Sequence, residues 1–97
     1  MPSVADILFP GGKPLGSKGK GRNCREVSGG MKKAQEMFDE LTMGALDVTP
    51  LGYPGKMMRL PGGGTVGLRP TSKTGPPTID VKDVPQVPVR KVKVKFL

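Results

Sequence analysis

Glycine and proline divide this chain into short segments and so limit the elements that it can form. The 97 residues include 15 glycines and 11 prolines, a level that composition alone also associates with disorder. After Pro50, however, these residues alternate with short apolar runs. We therefore expect the second half of the chain to form short strands joined by hairpins and loops.

Four strands are predicted in this half. Residues 56–60 and 65–69 flank a turn at residues 61–64, and residues 78–81 follow the break at Gly75-Pro76-Pro77. The last strand shows the clearest alternation of the chain, because apolar and basic residues take turns from Lys91 to Phe96. Its row of lysines either faces RNA or protects an edge strand from mispairing.

One helix is predicted, over residues 30–43, with Ser28 as its N-cap and Gly44 as its stop. Its apolar side chains fall on one face: Met31, Ala34, Met37, Phe38 and Leu41. The predicted fold is an α+β domain, in which this N-terminal helix packs on a small antiparallel β-sheet of about four strands.

Residues 1–25 show little periodicity and are predicted to be a basic, flexible lead-in to a folded domain at residues 26–97. Their cations lie among glycine and serine: Lys13, Lys18, Lys20, Arg22 and Arg25. Two interpretations remain open, a linker from an upstream region and an arm that grips phosphate without sequence preference.

The charge of the chain favours a polyanionic partner. Sixteen Lys and Arg residues against eight Asp and Glu residues give a formal net charge of +8. Nucleic acid, an acidic protein and an anionic membrane surface all fit such an excess. The longest early apolar run, residues 7–9, is too short for a signal peptide or a membrane span, so none is predicted.

Several chemistries are disfavoured by the residues that are missing. The chain has no histidine, which removes the usual general base and the commonest metal ligand. Its one cysteine, Cys24, excludes an internal disulfide and a cysteine-based zinc site. The carboxylates are scattered without a two-metal cluster. We therefore expect no cofactor and no metal.

The segment from Tyr53 to Val81 carries the candidate site. Cations lie between its apolar runs, hydroxyls lie close by, and no carboxylate occurs between Asp47 and Asp80 to cancel the charge. Arginine offers phosphate a rigid fork of donors and lysine adds a mobile charge. The segment therefore predicts a surface for the RNA backbone.

Without histidine or metal, RNA can be cut by its own 2′-OH, which attacks the adjacent phosphorus and leaves a 2′,3′-cyclic phosphate. We assign charge stabilisation to Arg69 and Lys73, and the base to Lys56, a role open to a lysine whose neighbouring cations favour its neutral form. The predicted catalytic residues are Lys56, Arg69, Thr71, Ser72, Lys73 and Thr78. The predicted RNA-binding residues are Tyr53, as a stacking ring, with Arg59, Lys91 and Lys93.

Structural explanations stay open for three of these residues. Thr71 and Ser72 follow Pro70 and could only shape a turn. Arg69 could pair with Asp80 across strands.

Three parts of the sequence together resemble the C-terminal toxin domains of bacterial polymorphic effectors, of the contact-dependent inhibition and Rhs type. They are REVSGGMKKAQEMFDEL (residues 25–41), YPGKMMRLPGGGTVGLRPTSKTGPPTIDV (residues 53–81) and the lysine-valine ending to Phe96. Several such toxins are similar in fold to the barnase, EndoU, colicin and RelE group, with a helix beside a curved antiparallel sheet that carries the active site.

The resemblance implies a nuclease that acts on tRNA or other RNA in the cytoplasm of a target cell, after delivery by a cell-surface or secreted effector. It also implies a cognate acidic immunity protein, and some toxins of this type recruit a translation factor of the host. By position, it places Arg69, Thr71, Ser72, Lys73 and Thr78 against RNA.

Three hypotheses follow. The first is a metal-independent ribonuclease toxin. The second is a non-catalytic basic module that binds RNA or the ribosome, and the third is an interaction module whose basic face meets an acidic protein.

Overall fold

The computed structural model describes residues 3–71 and 75–97 of the chain. Within these ranges, seven strands form one mixed sheet, and a helix of 12 residues packs on it. The helices are α1 (Val4–Leu8) and α2 (Gly30–Leu41), with a single helical turn at Pro10–Gly12. The strands are β1 (Ser17–Lys18), β2 (Cys24–Val27), β3 (Leu46–Asp47), β4 (Lys56–Arg59), β5 (Thr65–Arg69), β6 (Thr78–Lys82) and β7 (Lys91–Phe96).

The predicted fold class, an α+β domain with an N-terminal helix on an antiparallel sheet of about four strands, is wrong. The described residues form a mostly β structure around a seven-stranded mixed sheet. The four predicted strands correspond to β4–β7, which pair antiparallel in chain order. The prediction missed β1 and β3 because two residues are too few to show alternation. It missed β2 because this strand pairs with the distant β7.

The strand order is β1-β2-β7-β6-β5-β4-β3, with β2 and β7 parallel and every other pair antiparallel. Strand β7 therefore lies between β2 and β6 in the interior of the sheet. An interior strand has no free row of backbone groups to protect. The edge-strand explanation is thereby removed for Lys93 and Lys95, which lie in the part of β7 that pairs with β2.

The core lies between one face of the sheet and helix α2. Alternate residues of β5, β6 and β7 point to this side, and the helix covers them with four buried side chains, Ala34, Met37, Phe38 and Leu41. The buried strand residues on this face are Val66, Leu68, Ile79, Val81, Val92, Val94 and Phe96. Removal of this apolar surface from water holds the helix against the sheet.

The residues that cap helix α2 differ from the predicted ones, Ser28 and Gly44. Its N-cap is Gly29, whose φ of 111° favours glycine, and no side chain caps this end. Its C-cap is Thr42, whose amide and hydroxyl both donate to the Phe38 carbonyl, at 3.0 and 2.7 Å. The helix is therefore two residues shorter than the predicted range of 30–43.

Residues 3–25, predicted as a lead-in, contain α1, β1 and the start of β2. Ser3 and Asp6 form a capping box at α1, with both hydrogen bonds at 3.1 Å, and Leu8 is only 2% exposed in the core. The Arg25 side chain donates to the carbonyls of Leu15 and Gly16, at 2.7 and 2.9 Å. These contacts join the segment to the sheet, and the predicted boundary at residue 25 falls inside β2.

Candidate nucleic-acid interface

The sheet has a second face, turned away from helix α2, which we call the open face. Residues directly opposite each other in neighbouring strands share a face. The register places on the open face Thr65, Gly67 and Arg69 of β5, then Thr78, Asp80 and Lys82 of β6, then Lys91, Lys93 and Lys95 of β7. The alternation seen in the sequence of β7 thus places apolar residues in the core and lysines on the open face.

A depression of about 510 Å³ lies on the open face. Its polar and ionisable lining comes from the strands and from two loops: Arg22, Tyr53, Thr65, Arg69, Asp80, Lys82, Lys91 and Lys93. Asp80 is the one carboxylate among these lining residues. The depression is therefore strongly basic, and concave basic surfaces raise the local concentration of anions.

Two lysines of the open face are direct cross-strand neighbours. Lys82 of β6 lies opposite Lys91 of β7, and both are exposed. Like charges in directly opposite positions destabilise a sheet. A bound polyanion would relieve the repulsion.

Arg69 and Asp80 form an ion pair at the depression. The Arg69 Nε donates to Asp80 Oδ2 at 3.0 Å, and each side chain is 22% exposed. The cross-strand pairing considered from the sequence is therefore present. It does not remove Arg69 from the site, because both residues line the depression.

Tyr53 lies over the middle of β5. A Cβ atom on Gly67 would come within 2.5 Å of the Tyr53 Oη, so the ring can occupy this place only because residue 67 has no side chain. Burial raises the pKa of the Tyr53 phenol above its ordinary value, and the Asp80 carboxylate raises it further, against an opposing effect of Arg69. At neutral pH the phenol is therefore a protonated donor.

Lys56 lies on the other side of the sheet from Arg69. It is opposite Leu68, a core residue, in the pairing of β4 with β5. Its Nζ donates to Asp47 Oδ2 at 2.9 Å. Hydrogen bonds from the Thr49 hydroxyl and amide, at 2.6 and 2.9 Å, together with this lysine hold the pKa of Asp47 well below its usual range. The structure thus gives Lys56 an exposed structural partner and does not bring it to the depression.

The other predicted catalytic residues are dispersed. Thr78 is fully buried, and its hydroxyl donates to the Pro76 carbonyl at 3.1 Å. Thr71 is exposed just beyond the end of β5. Ser72 and Lys73 lie outside the described residues.

The predicted RNA-binding residues are better gathered. Tyr53, Lys91 and Lys93 line the depression together with Arg69. Arg59 is exposed and opposite Thr65, which puts it on the open face beyond the residues that line the depression.

Three charged lining residues were not among the predicted site residues: Arg22, Asp80 and Lys82. The last two could have been found, because they continue the alternation of β6 that begins at Thr78. Arg22 follows β1 in an irregular turn and lies in no periodic pattern, so its only signal was its place among the cations of residues 1–25.

Among residues 3–71 and 75–97, no three His, Cys, Asp or Glu side chains lie close enough to hold a metal ion. No helix in the same ranges has the length and apolarity needed to cross a bilayer. No protein-family model, no curated protein and no solved structure matches this chain.

Proposed function

We propose that this chain is a metal-independent ribonuclease toxin domain that cleaves RNA, with tRNA as the first substrate to test. The observation that carries the proposal is the convergence of Arg22, Arg69, Lys82, Lys91 and Lys93 around one depression, beside an aromatic ring. The sequence resemblance to toxins of polymorphic effectors supports the same function.

Each part of the depression fits a part of an RNA strand. Lysines and arginines bind backbone phosphates and release counterions from the RNA. The affinity therefore falls as the salt concentration rises. The ring of Tyr53 offers a stacking surface to an unpaired base, as aromatic side chains do in many single-strand binders. A flexible single strand or loop fits this combination better than a rigid duplex does.

Arg69 is the residue best placed to stabilise the reaction. As the 2′-oxygen attacks phosphorus, negative charge grows on the phosphoryl oxygens, and a fixed cation lowers that barrier. The bond from Nε to Asp80 restrains the guanidinium beside the depression. A restrained cation need not be reorganised during the reaction.

The proposed role in competition between bacteria follows from the resemblance and from the charge. A larger effector would carry the domain to the target cell, where the cytoplasm supplies RNA. An acidic immunity protein would bind the open face and exclude RNA from it, and the net charge of +8 favours such a partner. Recruitment of a host translation factor is a further possibility that the same experiments test.

Incubation of the purified domain with tRNA in EDTA tests the function directly. We expect cleavage that leaves a 2′,3′-cyclic phosphate and a 5′-OH, and Arg69→Ala should reduce it by about 100-fold or more. Arg90→Ala is the matched control, since Arg90 pairs with Asp83 through the same Nε–carboxylate contact at 3.0 Å but lies outside the depression. Full cleavage by the Arg69 variant would remove that residue from the mechanism.

The experiment also separates the ribonuclease from a non-catalytic RNA-binding module. Tyr53 is the only tyrosine and the chain has no tryptophan, so its fluorescence reports the open face alone. Quenching by RNA that neither cleaves nor arrests bacterial growth on expression would favour the binding module. If tRNA alone is not cut, a cell extract tests for a required host factor.

A further inference from the structure

The proposed cleavage needs a base and an acid, and the base predicted from the sequence, Lys56, does not line the depression. One row of the open face supplies both. In the register, Gly67 of β5 is opposite Asp80 of β6, and Asp80 is opposite Lys93 of β7. The Tyr53 hydroxyl lies over Gly67. Directly opposite residues have Cα atoms about 4.5–5.5 Å apart, so Tyr53 and Asp80 are neighbours in this row.

The base can be assigned by comparing the groups that line the depression. Lysine and arginine side chains carry their protons at neutral pH and have no lone pair to accept another. Five of the ionisable lining residues in the described part of the chain are of these types: Arg22, Arg69, Lys82, Lys91 and Lys93. Carboxylates are ordinarily ionised at this pH. Asp80 is therefore the lining group suited to take a proton.

The acid can be assigned in the same way. The leaving 5′-oxygen needs a proton from a donor held in a fixed place. The lysines that line the depression, Lys82, Lys91 and Lys93, are exposed at the ends of long, flexible stems. The Tyr53 hydroxyl is held against β5 in the row that contains Asp80, and a phenol carries its proton at neutral pH.

We propose that Asp80 and Tyr53 are the general base and the general acid of the ribonuclease reaction, an inference that rests on the proposed function. Asp80 accepts the proton of the 2′-OH while the 2′-oxygen forms its bond to phosphorus. The bond from phosphorus to the 5′-oxygen breaks, and that oxygen takes the proton of Tyr53. Exchange with water then returns a proton to Tyr53 and removes one from Asp80. Arg69 positions the base through its 3.0 Å bond to Oδ2.

Two conservative variants test the two roles. Asp80→Asn keeps the size of the side chain and removes its basicity, and Tyr53→Phe keeps the stacking ring and removes its proton. Each should lower the cleavage rate by about 100-fold or more. Binding of a labelled RNA, measured by anisotropy, should be retained in both. Thermal melts of both variants establish that they are folded.

An RNA with sulfur in place of the bridging 5′-oxygen at the mapped cut site distinguishes the acid from the base. A thiolate leaves without a proton, so this substrate should restore the rate of Tyr53→Phe and should leave Asp80→Asn slow. If Asp80→Asn does not fold, Asp80→Ala is measured with and without added formate, a small carboxylate that should restore part of the rate.

The outcomes separate the inference from the function on which it rests. Cleavage by folded Asp80→Asn at the wild-type rate overturns the base assignment and leaves the ribonuclease intact. A Tyr53→Phe variant that stays slow on the sulfur substrate overturns the acid assignment. A wild-type domain that cuts no RNA, alone or in a cell extract, removes the proposed function and this inference together.

Discussion

Gly67 is the residue on which the arrangement of the open face depends. It is buried in β5, and the space that a side chain would fill is taken by the Tyr53 hydroxyl. The backbone of Gly67 does not need a positive φ, so the requirement for glycine comes from this contact alone. A strand glycine ordinarily weakens a sheet. Here its absence of a side chain brings an aromatic ring beside Asp80.

Gly67→Ala should therefore displace Tyr53 while the fold is kept, since the clash is with the far end of a side chain and not with backbone. We expect the raised pKa of Tyr53 to move down toward the ordinary tyrosine value of about 10. Absorbance near 295 nm measures it without overlap, because the chain has one tyrosine. A pKa that is higher in the folded than in the unfolded state contributes stability at lower pH, and this contribution is lost as the pH rises through the folded-state pKa. The variant should therefore lose less stability in alkali than the wild type does.

Gly62→Ala is the control for this prediction. Gly62 lies in the turn between β4 and β5, without a positive φ, and its nearest neighbour is the Gln86 side chain at 4.0 Å from the added Cβ. The pKa of Tyr53 should not change in this variant. An unchanged pKa in Gly67→Ala as well would show that the tyrosine ring does not depend on the missing side chain.

For Lys56 and Asp80, the sequence predicts the strand in which each residue lies but not the face of the sheet on which it lies. Both lie in strands that the sequence predicts, but the face of each depends on its register. A single-residue change of register moves a side chain to the other side of the sheet. Lys56 falls opposite Leu68 and faces the core side, whereas Asp80 falls opposite Gly67 and faces the depression. The residue composition of the segment from Tyr53 to Val81 could not show that these two side chains lie on opposite faces of the sheet.

At the scale of elements, the interpretation of the lysines of β7 depends on where this strand lies in the sheet. Its alternation predicts two faces and its bounds agree with the structure, because six residues are enough to show a period of two. The short β1 and β3 and the parallel partner β2 have no comparable signal. Whether β7 is an edge strand depends on β2, and therefore could not be known from β7 itself.

Lys91→Glu should have opposite effects on the stability of the protein and on its binding of RNA. The change replaces a like-charge pair with Lys82 by an opposite-charge pair, so thermal melting should rise by a few degrees, about 1–5 °C. Binding of RNA should become weaker, and the effect should shrink at high salt. Melting curves and anisotropy titrations measure the two effects.

Lys32→Glu makes the same change in net charge on helix α2, across the sheet from the open face. It should weaken RNA binding much less than Lys91→Glu does. Equal losses in the two variants would mean that RNA responds to overall charge and not to the open face.

At the scale of the whole molecule, the residues before β2 belong to the folded body. Leu8 is buried in the same core as the residues of α2 and the central strands. The sequence could not show this, because helix α1 has only five residues and its apolar side chains make no long pattern. A segment that looks like a basic linker thus closes one end of the core.

Leu8→Ala should lower the free energy of unfolding by about 2–4 kcal/mol, the usual cost of such a truncation in a packed core. Urea denaturation measures it. Leu51→Ala, at a leucine that is fully exposed, should change the free energy of unfolding very little. If Leu8→Ala lowered the free energy of unfolding as little as Leu51→Ala does, α1 would not unfold cooperatively with the rest of the domain.

The parallel pairing of β2 with β7 limits when the sheet can be completed. Cys24–Val27 must wait for Lys91–Phe96 before its hydrogen bonds on that side can form. Pairing between such distant segments is slow to nucleate. A chain that emerges from a ribosome with its first residues leading therefore cannot complete the open face until Lys91–Phe96 has also emerged. For the toxin proposed above, activity would have to wait until this pairing has formed.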